Sequence, residues 1–376
     1  MIYWYAVAFF LTSIYILLIA FFYRGLLLVI KRTKREKLIV TNEKSNKFSV
    51  IIAARNEVHF IKESLHSIIN QNYNKNLFEI IVINDHSTDG TLNKIEDFIA
   101  ENSEYTISCI NLEELDNITN KKQAISIGIN NAKHDYIILT DADCIRKNEW
   151  LNSINIFIEK TNSKLVYAPV EFLSKNIFEE MQALEFAGLV GVGAAAMELK
   201  YPNMCSASNL IFEKKVFFEV GGYEDNKHVI SGDDEFLMHK IFKKYPNQVK
   251  FLFNENAIVK TSANASVNEL TEQRKRWVSK ATKYENRYIT IILIFTYYFN
   301  FSIIINLFVN WQIAVTQLGL KFLIEGIFLF TILKLYNKKR LILLLPLAEI
   351  FHVFYIVIIG VLATFTSFNW KGRIHK

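Results

Sequence analysis

Two aspartates one residue apart, Asp141 and Asp143, directly follow the apolar run Tyr136-Ile-Ile-Leu-Thr140. Carboxylates at that spacing, leaving a strand, let one group hold a hard divalent cation while the other orients water or a substrate hydroxyl. Mg²⁺ or Mn²⁺ binds through one or two carboxylates and completes its shell with substrate phosphates, so the pair reads as a metal and diphosphate site. Two aspartates in a surface turn are common, and the assignment rests on their place at a strand end. Asp85 closes a second apolar run, Glu79-Ile-Ile-Val-Ile-Asn84, and is followed by His86-Ser-Thr-Asp89-Gly90-Thr91. There it either accepts from a ligand N–H or hydroxyl or caps the next helix, a task Ser87 or Asp89 can equally perform. Asp233, Asp234 and Glu235 open an amphipathic segment. The helix dipole favours acids in a first turn, but three in succession exceed a cap. An attacking hydroxyl must lose its proton, which makes Asp234 the candidate general base. Gln273, Arg276 and Trp277 share a further segment, where a guanidinium suits bidentate contact with a departing diphosphate and an indole offers an apolar face. Arg274 and Lys275 between them read equally as an interfacial anchor.

The elements that position these groups follow from periodicity. Phe48–Ala54 is a β-branched apolar run, Ile61–Asn70 has helical spacing, Glu79–Asp85 is a second strand, Thr106–Leu112 a third, Lys121–Asn131 a helix and Asp135–Thr140 a fourth strand. Strand, helix and strand in alternation predict a parallel α/β domain. Ligands of such sheets bind beyond the carboxyl ends of the strands. Arg55–Glu57, Asp85 and Asp141–Asp143 therefore share one crevice.

Hydrophobic residues make up 51% of the 376, and they are gathered in blocks. Met1–Tyr23 and Ile289–Leu320 carry no charge, and Leu341–Trp370 is interrupted only by Glu349 and His352. Each is long enough for the ~20 residues that cross a bilayer. The first block lacks a basic start and a small-residue cleavage site, so it reads as a retained anchor rather than a secretory signal. The domains expected are a transmembrane helix over 1–30, a basic linker over 31–47 with polar sequence at Thr41–Lys47, an α/β domain over 48–285, about three transmembrane helices over 286–370 and a basic tail over 371–376. Lys31, Arg32, Lys34, Arg35 and Lys37 follow the first block, which favours a multi-pass protein of the cell membrane with its α/β domain in the cytoplasm. The net charge of +6 is read as contact with anionic lipid head groups, since no basic and aromatic nucleic-acid motif occurs. Cys109, Cys144 and Cys205 have no CxxC spacing and imply neither a disulfide framework nor a zinc site.

Four crossings with the domain inside would leave Lys371, Arg373 and Lys376 outside, against the positive-inside tendency; one late segment then lies in the interface or re-enters. Lys321 and Glu325, four residues apart in a span, are expected to pair. Pro346, Glu349 and His352 either bend and polarise the last segment toward a ligand or serve helix packing. The small, apolar stretch Phe186–Ala196 is either a lipid-facing surface helix or a buried one.

Taken together the sequence resembles the family 2 inverting glycosyltransferases of the GT-A fold. The matching pieces are Ser49-Val-Ile-Ile-Ala-Ala-Arg-Asn-Glu57, Val82-Ile-Asn-Asp-His-Ser-Thr-Asp-Gly-Thr91, Lys121 with Ala124 and Gly128, Thr140-Asp-Ala-Asp143, Asp233-Asp234 and Gln273-x-x-Arg276-Trp277. The resemblance implies an α/β nucleotide-diphospho-sugar transferase domain beside transmembrane helices. It implies that Ala53, Arg55, Glu57 and Asp85 line a uridine pocket and that Lys121 lies near the nucleotide. Asp141 and Asp143 would face ribose, diphosphate and metal, Asp234 would be the base, and Gln273, Arg276 and Trp277 would close the site around diphosphate and acceptor. The family often has Glu-Asp where this chain has Asp233-Asp234, which leaves the two open as base. Met204–Phe217 matches an acceptor-side strand and helix, with Ala207 to Asn209 near the incoming hydroxyl. The reaction implied is single displacement from a nucleotide sugar, UDP-linked, to a hydroxyl of a membrane lipid or lipid-linked acceptor. The rivals are a processive polysaccharide or oligosaccharide synthase, a nucleotidyltransferase, which would want a Gly-rich loop where Ala53-Ala-Arg-Asn-Glu57 stands, and an inactive membrane scaffold.

Overall fold

The computed structural model describes residues 2–36, 45–112, 121–226, 232–280, 283–284, 286–370 and 373–375. Lys37, Ser231, Lys371, Lys376 and the first part of the Thr41–Lys47 linker lie outside the described residues. In chain order the first elements are α1 (Ile2–Glu36), β1 (Phe48–Ala54), α2 (Ile61–Ile69), β2 (Phe78–Asn84), α3 (Thr91–Glu101), β3 (Ile107–Asn111), α4 (Lys121–Asn131) and β4 (Tyr136–Asp141). Then come β5 (Ile145–Arg146), α5 (Trp150–Thr161), β6 (Leu165–Tyr167), β7 (Val170–Leu173), α6 (Ile177–Glu198), β8 (Leu210–Glu213), α7 (Lys214–Glu219) and α8 (Asp233–Lys244). The last are β9 (Val249–Phe251), β10 (Val259–Ser262), α9 (Val267–Ser279), α10 (Arg287–Val309), α11 (Trp311–Leu333), α12 (Leu345–Phe365), β11 (Phe368–Trp370) and β12 (Arg373–His375).

The chain divides into two units, one of residues 28–172 and 196–262, the other of 1–27, 173–195 and 263–376. The first is α/β. Its main sheet has the order β3-β2-β1-β4-β8-β6-β9, and a small sheet has the order β5-β10-β7. β1 pairs in parallel with both β2 and β4, so the chain turns back on itself across β1 and leaves a crevice at the carboxyl ends of these strands. β1 and β2 are buried almost throughout, which is why they read as continuous apolar runs. Leu65, Ile68, Ile95 and Phe98 of α2 and α3 join that core. At the opposite end of the strands the buried Glu79 carboxylate accepts from Ser49 Oγ and the Lys133 amide, each at 2.6 Å. The sheet is not all parallel as the sequence suggested. β8, reached after α6, runs antiparallel to both β4 and β6.

α1 continues six residues past the expected boundary at residue 30. Its 35 residues make about 50 Å of helix, well beyond the ~30 Å of hydrocarbon. Arg32, expected at the lipid surface, is buried; it donates to Glu36 at 2.7 Å, Glu198 at 2.8 Å and the Phe251 carbonyl at 2.7 Å.

The second unit is helical and, among the described residues, holds four helices long and apolar enough to cross a membrane: Tyr5–Glu36, in its N-terminal part, then Arg287–Val309, Trp311–Leu333 and Lys339–Phe365. Tyr15, Phe299, Ile303 and Val353 form its apolar centre. Polar side chains stitch the helices together, as Gln317 does between Asn306, Thr12 and Ser302 at 2.8 to 3.2 Å. Lys321 pairs with Glu325 at 2.8 Å as its spacing suggested, and it also meets Glu349 while Tyr15 donates to Glu325. Phe186–Ala196 is the buried alternative: Gly188 and Gly191 let α6 close on Leu329 and Phe328 of α11, where an added Cβ would sit 3.0 Å away.

Gly128 does the same for α4. A Cβ there would meet Ile51 at 2.7 Å and Ile83 at 2.8 Å on the sheet. Gly128→Val is expected to destabilise the domain by about 1–3 kcal/mol through overpacking, read as a lower midpoint in thermal unfolding of the detergent-solubilised protein.

Candidate active site

The turns after β1 and β2 are built as one piece. Asn56 and His86 both adopt left-handed backbone, with φ of 55° and 53°. The Asn56 amide donates to Ser87 Oγ at 3.1 Å and the Thr88 amide returns a bond to Asn56 Oδ1 at 2.8 Å. Asp89 accepts from the amides of Thr91 at 3.0 Å and Val58 at 3.2 Å. Burial pushes the Asp89 carboxyl up, but these hydrogen bonds outweigh it and hold the group below its ordinary value. Asp89 is thus the group at the head of α3, and Asp85 is released from that task. Asp85 sits at the crevice, its amide bonded to the Ala54 carbonyl at 2.8 Å, with His86 Nδ1 2.9 Å and Arg55 Nη1 3.7 Å from its Oδ1. Arg55 also donates to the Asp85 carbonyl at 3.1 Å. Glu57 is fixed through its amide to Thr91 Oγ1 at 2.8 Å, and Ala53 lies beside Asp141 in the β1–β4 register.

At the end of β4, Asp141 Oδ1 accepts from Lys121 Nζ at 2.7 Å and its other oxygen accepts from Ser208 Oγ. Asp143 Oδ2 accepts from Thr261 Oγ1 at 2.6 Å. Ligand atoms of Asp141, Asp143 and Cys144 lie within 4.8 Å of one another. Burial, then the neighbouring Asp143 and Asp141, push the Cys144 thiol well above its ordinary value, so it stays protonated and is a poor ligand. What remains is two hard carboxylates, a donor set that fits Mg²⁺ or Mn²⁺ completed by phosphate oxygens.

Beneath this turn lies Arg146, 5% exposed. It donates to the carbonyls of Cys144 at 2.7 Å, Asp141 at 3.3 Å and Ser64 at 3.2 Å, and to the hydroxyls of Ser64, Ser67 and Thr140. Burial pulls its pKa down to about 10, which leaves it charged near neutrality.

The second pair of acids opens α8 after Gly232, whose φ of 82° turns the chain into the helix. Asp234 Oδ2 accepts from the Ala207 amide at 3.0 Å and Oδ1 from the Glu235 amide at 2.8 Å. Asp233 is buried and its Oδ2 has no hydrogen-bond partner among the described residues. Burial raises its pKa, Lys121 opposes that, and Asp234 adds to it. One three-residue turn, Ala207–Asn209, therefore touches both acidic pairs, through the Ala207 amide to Asp234 and Ser208 Oγ to Asp141. Asn209, expected beside an incoming hydroxyl, is fully buried and holds that turn: it accepts from Trp150 Nε1 at 3.1 Å and donates to the carbonyls of Pro169 and Ala257 at 2.9 and 2.8 Å.

The structure thus brings Ala53, Arg55, Glu57, Asp85, Lys121, Asp141, Asp143, Asp233 and Asp234 into one α/β unit. Gln273, Arg276 and Trp277 belong to the helical unit, on α9. Gln273 Oε1 accepts from Asn264 at 3.0 Å and Arg274 at 2.7 Å, and the Arg274 guanidinium lies 4.2 Å over the Trp277 ring. Sequence reasoning missed Arg146, Ser208 and Thr261 as supports of the aspartates. Ser208 lay within a stretch already singled out; Arg146 and Thr261 are single polar residues with no spacing signal.

Residues 49–223 match the family described as Glycosyl transferase family 2. Across 323 residues the chain is 25% identical to a dolichyl N-acetyl-α-D-glucosaminyl phosphate 3-β-D-2,3-diacetamido-2,3-dideoxy-β-D-glucuronosyltransferase of Methanococcus voltae, covering 82% of this chain and 94% of that protein. It is 38% identical over 119 residues to an uncharacterized glycosyltransferase of Haemophilus influenzae, covering 30% of this chain and 33% of that protein. Among solved structures, a mannosyltransferase of Pyrobaculum calidifontis, in complex with GDP-Man and Mn²⁺, superposes with a TM-score of 0.53 at 15% identity over 92% of this chain and 99% of that one. That likeness establishes the GT-A fold.

The raised Asp233 carboxyl gives a stability test. The folded state binds a proton that the unfolded state has released, so stability falls as pH rises from the ordinary aspartate range through the raised value. Asp233→Asn is expected to be at least as stable as the parent at pH 7.5, with the advantage vanishing below about pH 4. Unfolding midpoints across that range measure it.

Proposed function

Because the chain carries a family 2 glycosyltransferase domain of GT-A fold, we propose that it moves a sugar from a UDP-linked donor to a hydroxyl of a membrane lipid or lipid-linked acceptor, with inversion. The observation that carries this reading is the pairing of Asp141 and Asp143 at the sheet's carboxyl edge with Asp234 through the Ala207–Asn209 turn. Ala53, Arg55, Glu57 and Asp85 hold the nucleoside at the β1 and β2 ends. Asp143 and Asp141 hold Mg²⁺ or Mn²⁺, which neutralises charge on the diphosphate. Lys121, already within 2.7 Å of Asp141, adds a positive charge beside it. Asp234 is aimed by two backbone amides and takes the acceptor hydroxyl proton as oxygen attacks the anomeric carbon. One in-line displacement inverts that carbon. Gln273, Arg276 and Trp277 are assigned the departing diphosphate and the acceptor, on the chemistry of a guanidinium and an indole on one helix.

A lipid-linked acceptor is supported by the activity of the Methanococcus voltae relative and by the apolar helices of the same chain. The basic residues after the first apolar block support a cytoplasmic catalytic domain facing anionic lipid head groups. The test is transfer of label from a panel of sugar nucleotides to extractable lipid in membranes holding the protein, with product length read by mass spectrometry. A single added sugar is expected, and a polymer ladder would replace this reading with a processive synthase. Asp141→Asn with Asp143→Asn is expected to lower transfer about a hundred- to a thousand-fold, and retained transfer would sink the metal and diphosphate assignment. Asp234→Asn is expected to lower kcat by about a hundred- to ten-thousand-fold while donor binding persists.

A further inference from the structure

Hydropathy marks Lys339–Phe365 as a fourth helix able to cross a membrane. Its contacts within the helical unit set it apart from the other three. α9 carries Glu269, Glu272, Arg274, Lys275 and Arg276 along thirteen residues; so many charges are too costly in hydrocarbon, and the helix marks one face of the membrane. α6 is bound to it. Gln182 Nε2 donates to the Asn264 carbonyl at 2.9 Å just before α9, Glu185 meets Arg274 at 2.7 Å, and the rings of Phe186 and Trp277 are 6.1 Å apart.

The segment containing α12 is fastened to this pair of helices at its start, middle and end. Arg340, before α12, reaches Glu180 of α6 at 3.4 Å. Tyr355 at mid-helix hydrogen-bonds Arg274. After the helix, Lys275 Nζ donates to the Ser367 carbonyl at 2.7 Å, and β11 packs on α9. A segment that crossed would leave its start and its end on opposite faces, whereas both are tied here to α6 and α9. The inner side of α12 is nonetheless anchored among true spans, with Glu349 on Lys321 and Val353 beside Tyr15 and Phe299. Phe351, Phe354, Ile358, Val361 and Phe365 form an exposed apolar stripe at helical spacing.

We infer that the segment over 339–367 is re-entrant: it enters the bilayer ahead of α12, and α12, with its apolar stripe against acyl chains, brings the chain back to the face it left. α10 and α11 make a complete hairpin through the membrane, so the chain crosses three times with α1 and ends on the face where α9 lies. The intramembrane ionic cluster then has a mechanical purpose, holding a short polar helix face inside hydrocarbon, where each ion needs its partner. An odd number of crossings also removes the conflict between the basic residues Lys371, Arg373 and Lys376 of the sequence and the positive-inside tendency.

The test uses single cysteines in the full chain at exposed positions, Lys339→Cys before α12, Ser367→Cys after it and Gln312→Cys at the α10–α11 turn. They are reacted in sealed oriented vesicles with a membrane-impermeant maleimide and read peptide by peptide, so Cys109, Cys144 and Cys205 do not interfere. Expected is modification of positions 339 and 367 from one side and of 312 only from the other. Modification of 367 together with 312 overturns the proposal. Should a variant fail to fold, a reporter after Lys376 decides: green fluorescent protein that lights with the reporter on the catalytic side supports re-entry, and active alkaline phosphatase on the other side overturns it. Neither readout depends on the transfer reaction, so this inference and the proposed activity fail separately.

Discussion

A buried cation must find an acceptor for nearly every hydrogen it carries, because nothing else offsets its lost hydration. Arg146 meets that demand with the very backbone that displays Asp141 and Asp143. Its two terminal nitrogens collect the carbonyls of Asp141 and Cys144 from the turn, a carbonyl and hydroxyls from α2, and the Thr140 hydroxyl from β4, while its plane lies 5.4 Å from the Trp150 ring. Only Nε lacks an acceptor among the described residues. The loop cannot relax without leaving part of a buried guanidinium without acceptors, which is costly. Two carboxylates that repel one another are thereby held close together, with a fixed positive charge underneath to temper the repulsion.

How much of this was legible in the sequence depends on whether the information was local. β1, β2 and β4 could be read because strands buried on both faces become continuous apolar runs, and Asp85, Asp141 and Asp143 because ligands gather at the carboxyl ends of such strands. The antiparallel insertion of β8 beside β4 could not, since which short strands pair is decided by distant partners. Ser208, Thr261 and Arg146 act singly, and a lone polar residue has no period. Asn209, expected near the acceptor from the resemblance, has its side-chain polar atoms bonded to Trp150, Pro169 and Ala257 inside the core, contacts with partners too distant in the chain to be read from it.

In the helical unit the same contrast holds at lower dielectric. Lys321 and Glu325 are four residues apart on one helix, so their pairing was visible in advance. The additional contacts with Glu349 and Tyr15 come from two other helices. Hydropathy counts apolar length but is blind to where the ends of a helix are held, and the segment of α12 is set apart from α10 and α11 by its fastenings to α6 and α9.

The three residues Ala207, Ser208 and Asn209 join Asp141 to Asp234 through one stretch of main chain. Their spacing is thus a property of peptide geometry rather than of whichever substrate is bound. Such an arrangement makes the enzyme modular in descent: the walls that read a sugar or an acceptor can drift under selection while the reacting centre stays in register, and new specificities arise without rebuilding the catalyst.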